Sequence, residues 1–117
     1  MDFNFITKQN STKQKGVGAR ATRVGENGAR FVLYDYSLKK LRAFSGQDYV
    51  QVGIDSTGTK IGIRLSNGRE GHKISKNGYV TITSAQDLGN LPFPMSFRDN
   101  DITLIDNVLI LDLDKRI

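Results

Sequence analysis

The chain contains no cysteine. A disulfide frame, a thiolate metal site and a thiol nucleophile are therefore all excluded, and the composition fits an intracellular setting. His72 is the only histidine, so a His/Cys zinc site cannot be assembled. No nucleophile motif lies near His72, which reads as a surface residue rather than a general base. Long apolar runs are also missing. The longest, Val108-Leu109-Ile110-Leu111, is far too short to span a bilayer. Met1-Asp2-Phe3-Asn4-Phe5-Ile6 lacks the basic and apolar regions of a signal peptide. Phosphate-binding P-loops, GxGxxG and GxSxG are absent. Asp99/Asp101 and Asp112/Asp114 are i,i+2 pairs of a kind that holds Mg²⁺ on a strand face, but such pairs more often mark turns and strand ends. The expectation is binding rather than catalysis, with no cofactor, no metal and no membrane.

What is present is an ordinary globular composition, 38% apolar and 25% charged, over 117 residues. That length suits one domain, residues 1–117, and not comfortably two. The net charge of +5 hides an asymmetry. Residues 1–80 hold 14 Lys/Arg against 6 Asp/Glu, and residues 81–117 hold 3 against 6. Segmental polarity of this kind suggests a polyanionic partner on one side of the molecule; the plainer alternative is a solvated basic surface.

Offsetting the sequence by 50 residues brings Asn27-Gly28 onto Asn77-Gly78. The same offset brings Val24 onto Ile74, Val32 onto Ile82, Leu38 onto Leu88, Ile61 onto Leu111 and Ile63 onto Leu113. The match suggests an internal repeat, residues 20–66 and 70–116. Asn-Gly between alternating segments predicts a hairpin in each half, 20–25 with 29–34 and 71–75 with 79–83. The spacing of Leu38, Leu41 and Phe44 predicts a short helix capped by Ser37 or Asp35 and stopped at Gly46. A shorter counterpart runs from Ser84 to Leu91 and ends at Pro92, before the rigid kink Pro92-Phe93-Pro94. Two alternating strands follow in each half: 49–55 and 59–65, then 102–105 and 108–113, the last pair turned by Asp106-Asn107. The fold class is mainly β with one or two short helices, and each half reads β-β-α-β-β. Residues 8–18 are polar, basic and glycine-punctuated, and read as a flexible arm or loop carrying Lys13 and Lys15.

Strands alternate sides, so parity sorts their residues. Val50, Val52, Ile54, Ile61, Ile63 and Leu65 are expected in the core. The opposite face then carries Tyr49, Gln51, Gly53, Lys60, Gly62 and Arg64. Val80 and Ile82 go inward and Tyr79 outward. Transferring that parity to the first half puts Val32 inward and Phe31 outward, with a buried Phe31 as the alternative. Arg20, Arg23 and Lys73 complete a candidate nucleic-acid set with Lys13, Lys15, Phe31, Tyr49, Lys60, Arg64 and Tyr79. Cations neutralise phosphates and aromatic faces stack on unpaired bases. Gly53 and Gly62 admit a strand close to the sheet. The combination suits a single strand better than a duplex, whose readers need an element shaped to a groove.

Length, the basic half, and the stretch from Gly18-Ala19-Arg20-Ala21-Thr22-Arg23-Val24 through Ile61-Gly62-Ile63-Arg64-Leu65 carry a resemblance. On these the chain resembles the small single-stranded DNA-binding proteins of lactococcal phages. The resemblance implies a small OB-like β-barrel and sequence-tolerant single-strand binding. It also implies homo-oligomers, a role in phage replication or recombination alongside proteins of those processes, and the cytoplasm of the host cell. Two departures stand out. The sequence closes on Leu111-Asp112-Leu113-Asp114-Lys115-Arg116-Ile117, a strand and its fray rather than an acidic recruiting tail. The β-β-α-β-β order fits a duplicated whirly-type sheet better than the OB strand order. The reading from a different class is a protein-interaction module, such as a phage-encoded inhibitor of a host nucleic-acid enzyme.

Overall fold

The computed structural model describes Asp2 and residues 16–42, 48–83, 88 and 90–117. The fold is mainly β, with nine strands, one α-helix and short 3-10 turns among these residues. In chain order they are β1 Val17–Val24, β2 Gly28–Leu33, α1 Asp35–Leu41, β3 Tyr49–Ile54 and β4 Lys60–Ser66. Then come β5 His72–Lys73, β6 Tyr79–Ile82, β7 Met95–Arg98, β8 Thr103–Ile105 and β9 Val108–Asp112. They form two antiparallel sheets, ordered β6-β2-β1-β7 and β5-β3-β4-β9-β8. Neither sheet is built from one half of the chain alone.

One apolar core lies between the sheets. The first contributes Ala19, Ala21, Phe31, Leu33, Val80 and Phe97; the second contributes Val50, Ile61, Ile63, Leu109 and Leu111. Strand β9 alternates, with Leu109 and Leu111 buried, and the alternation in β3 and β4 follows the expected parity up to the sheet's ends. There Val52 and Ile54 are half-buried and Leu65 is 41% exposed. Leu88, Leu91, Ile102 and Leu113 close the core's margins.

The first hairpin stands where Asn27-Gly28 placed it, but its turn differs. Val24 pairs with Gly28 around the three-residue loop 25–27, and the positive φ falls on Gly25. Gly28 is instead a close-packing glycine: a Cβ there would lie 2.5 Å from the Val24 carbonyl oxygen. The two-residue turn with both φ positive is at Asp106 and Asn107, where Ile105 pairs with Val108. The second expected hairpin is split. Its leading segment, β5, joins β3 through Tyr49–Lys73 and Val50–His72, while β6 joins β2 through Phe31–Val80. The turn between them docks on the end of β2, since Leu33 N–H donates to the Gly78 carbonyl at 2.9 Å.

That pairing corrects the parity of β2. Phe31 shares Val80's side and is fully buried, while Val32 lies on the outward side with Tyr79. The offset of 50 equates Val80 with the exposed Arg30, so the inferred repeat fails to carry facing across this pair. At Ile61/Leu111 and Ile63/Leu113 the same offset joins residues that are all buried.

The helix is also shifted from its expected limits. Its N-cap is Tyr34, and it ends because Arg42 adopts a left-handed conformation (φ 61°), not at Gly46, which lies outside the described residues. Lys39 and Lys40 occupy the last turn, where the helix dipole favours cations. Ser37 is no cap. It is buried inside the helix, and its hydroxyl donates to the Gly18 carbonyl at 2.7 Å, tying α1 to β1. Val17 and Gly18 are buried parts of β1, not loop, while residues 8–15 lie outside the described set. The helix expected over 84–91 falls mostly there too. Strand β7, which follows the kink Pro92-Phe93-Pro94 and is not among the strands expected from the sequence, pairs with β1 through Ser96–Arg20.

Candidate functional site

Because the sheets share one core, their outer faces point away from each other, and the expected binding residues are divided between them. Arg20 and Tyr79 lie on the outer face of the four-stranded sheet. Tyr49, Lys60, Arg64 and Lys73 lie on the outer face of the five-stranded sheet. Phe31 belongs to neither: it is 0% exposed and its ring faces the core. Lys13 and Lys15 fall outside the described residues.

The register of the four-stranded sheet sets out its outer face in rows. One row runs Ser96, Arg20, Val32, Tyr79, and the next runs Thr22, Arg30, Thr81. By the alternation of β7, Arg98 shares the side of Ser96. The outward positions of the four strands thus carry Arg20, Arg30, Arg98 and the 49% exposed Tyr79, and no carboxylate. Hydroxyls hold two of the guanidiniums in place. Arg20 Nε donates to Ser96 Oγ and Arg30 Nε to Thr81 Oγ1, each at 3.2 Å. An arginine fixed through Nε keeps terminal N–H groups for a further acceptor, the geometry that suits a phosphate. Beside these rows lies a groove of about 1020 Å³, bordered by Arg20, Tyr34, Asp35, Asn77, Tyr79 and Pro94 among others. Tyr79 stands at its wall, and its backbone N–H is held by Ser75 Oγ at 3.0 Å.

Arg23 has a different task. It sits at the end of β1, donates to the Glu26 carbonyl at 3.2 Å and the Leu91 carbonyl at 3.5 Å, and lies 5.4 Å above the Phe93 ring. These contacts tie the β1–β2 loop to the segment before β7. They assign Arg23 to the scaffold.

The outer face of the five-stranded sheet is chemically mixed. Its rows run Gln51, Arg64, Val108, Ile105, then Gly53, Gly62, Ile110, Thr103, then Lys60 beside Asp112. The two glycines open a groove of about 430 Å³ lined by Val52, Ile54, Val108 and Ile110 with Lys60 and Arg64. Arg64 Nε donates to Gln51 Oε1 at 3.0 Å. Asp112 and Asp55 bring carboxylates to the same face. Asp55 accepts from the Thr57 hydroxyl at 2.7 Å and from the Thr59 and Lys60 backbone N–H groups at 3.0 Å. The Thr57 hydroxyl above all, with those amides and the Lys60 charge, holds the Asp55 carboxyl below its ordinary value. Tyr49 is half-buried: its ring carbons lie within 3.3–3.6 Å of where a Cβ on Gly68 would sit. The loop before β5 therefore covers the ring that the sequence reading offered for stacking. Lys73 is exposed next to it.

Two arginines of the four-stranded face, Arg30 and Arg98, were not among the expected site residues. Arg30 shares parity with Val32, so the inverted parity of β2 hid it. Arg98 was missed with its strand. Asp99 and Asp101 sit in a 3-10 turn after β7, and Asp112 caps Asp114 through a 3.0 Å hydrogen bond. Among the described residues no three or more His, Asp or Glu side chains gather as metal ligands. Nor is any described helix long and apolar enough to cross a membrane, which says nothing of β-barrels. No protein-family model, curated protein or solved structure matches the chain.

Proposed function

We propose that the protein binds single-stranded nucleic acid, DNA foremost, on the outer face of the four-stranded sheet and with little sequence preference. One observation carries this reading: Arg20, Arg30, Arg98 and an exposed Tyr79 share a sheet face whose strand positions hold no carboxylate. The arginines neutralise phosphates along the strand, and Tyr79 offers a π-face to one unpaired base. Thr22, Thr81 and Ser96 add neutral hydrogen-bonding groups that favour no particular base. A duplex, whose bases are already stacked on one another, offers Tyr79 no free base face. A role in phage replication or recombination, with the partners that implies, rests on the sequence resemblance alone.

The test is the salt dependence of oligo-dT binding in wild type and in an Arg30→Ala/Arg98→Ala variant. Each phosphate contact on a single strand contributes about 0.7 to the slope of log K against log salt. The double variant is expected to lose about 1.4 of slope. An unchanged slope places the strand elsewhere.

A further inference from the structure

The five-stranded sheet presents an outer face that is complementary to itself, and we propose that it pairs with the same face of a second copy. The register supplies the argument. Gly62 on β4 stands directly opposite Ile110 on β9, and Lys60 stands opposite Asp112. A twofold axis running along the strands between β4 and β9 exchanges those two strands. It sets each Ile110 over the other copy's Gly62, and each Asp112 over the other copy's Lys60. The hole and the knob are both present: Gly53 is open above, Val108 Cγ1 leans to 2.9 Å from where a Cβ on Gly62 would sit, and the two glycines floor a groove of about 430 Å³ with half-exposed Ile110 beside it. The next strands outward match in the same way, with Gly53 receiving Thr103 and Gln51 meeting the 58% exposed Ile105. Two sheets packed face to face with aligned strands are an ordinary arrangement, about 10 Å apart.

Charge separates this face from its opposite number. Over the strands that the axis superposes, Lys60 and Arg64 are balanced by Asp55 and Asp112, and Lys73 on the edge strand β5 falls outside them, so two copies meet without net repulsion. A polyanion gains little from the same mixture. Like-on-like pairing of the four-stranded face would instead crowd Arg20, Arg30 and Arg98 of both copies together with no carboxylate at its strand positions to offset them. An isologous contact of this kind closes on itself as a dimer and leaves no open end. If the four-stranded face is where strands bind, the dimer carries two such faces pointing outward in opposite directions, so one assembly can hold two strands or two stretches of one strand. The dimer itself does not depend on that reading.

The experiment is sedimentation equilibrium of the whole chain without nucleic acid, over a wide range of protein concentration. The expected result is a concentration-dependent mass approaching twice 13.0 kDa. Ile110→Lys puts a charge into the interface from an outward position, and is expected to raise the dimer dissociation constant at least about tenfold. Lys60→Glu and Asp112→Lys are each expected to weaken pairing, and the two together to restore it. Circular dichroism melting of every variant shows whether the monomer fold is intact. A wild-type chain that stays monomeric at every concentration overturns the proposal and leaves the groove to a partner of another sequence. A dimer untouched by Ile110→Lys in a folded variant overturns it as well.

Discussion

Replacing Tyr79 with alanine separates the two sheet faces as binding surfaces. The ring is 49% exposed on the four-stranded face, so its loss leaves the core intact. The backbone pairing of Tyr79 with Val32 does not involve the side chain. Base–aromatic stacking is worth about 1–3 kcal/mol per base, so Tyr79→Ala is expected to weaken oligo-dT binding roughly 5- to 150-fold. The change in unfolding free energy should stay under about 1 kcal/mol, as for most exposed substitutions. Tyr49→Ala is the counterpart on the five-stranded face. That ring is packed on Gly68 and half-buried, so the variant should lose about 1–2 kcal/mol of stability and keep its affinity. Fluorescence anisotropy of labelled oligo-dT gives the affinities, and urea unfolding gives the stabilities. Wild-type affinity in Tyr79→Ala, with a large loss in a still-folded Tyr49→Ala, would refute the assignment and move the strand to the other face.

Three further outcomes follow from the packing. Phe31→Ala removes a fully buried ring from the centre of the core and should cost about 3–5 kcal/mol in urea unfolding; a loss below about 1 kcal/mol would contradict its place there. Gly78→Ala forces a side chain into a residue with φ of +85° and against the Leu33 carbonyl oxygen, so a loss above about 1 kcal/mol is expected in thermal unfolding. The Asp55 carboxyl is held below its ordinary value, so its hydrogen bonds help the β3–β4 turn above the ordinary carboxylate pKa and are lost as the pH falls through the lowered one. A carboxyl-carbon NMR titration should place its midpoint below 3.8, and a midpoint at or above that value would remove the Thr57 bond as its cause.

Most of the fold was legible because alternation over β3, β4 and β9 matches one buried face, as at Ile61, Ile63, Leu109 and Leu111. The turn at Asp106-Asn107 was legible because both residues tolerate positive φ. What was not legible depends on which strands meet. β2 carries apolar residues on both sides, Phe31 and Leu33 against Val32, so only its pairing with β6 decides which side is core. Asn77-Gly78 looks like a hairpin turn, yet its flanks enter different sheets, because β5 finds β3 and β6 finds β2. The expected site was half legible for the same reason. Tyr79 was correctly placed facing outward and Arg20 stood among the candidates with no facing assigned, but nothing local reveals that Lys60 and Arg64 stand on the opposite side of the molecule. Arg98 follows a proline-rich kink that gives no strand signal. Its place in β7 comes from the pairing with β1.

The most direct measurement is the affinity for a labelled oligo-dT against a duplex of equal length, each at 50 and at 200 mM salt. Three phosphate contacts from Arg20, Arg30 and Arg98 correspond to a slope of about −2, or a roughly 20-fold loss between those salts. Single-strand binding with that sensitivity, and much weaker binding to the duplex, is the expected result. No binding to either would contradict single-strand recognition and leave the arginine-rich face as solvated charge; equal binding to both would contradict it in favour of a general polyanion-binding surface.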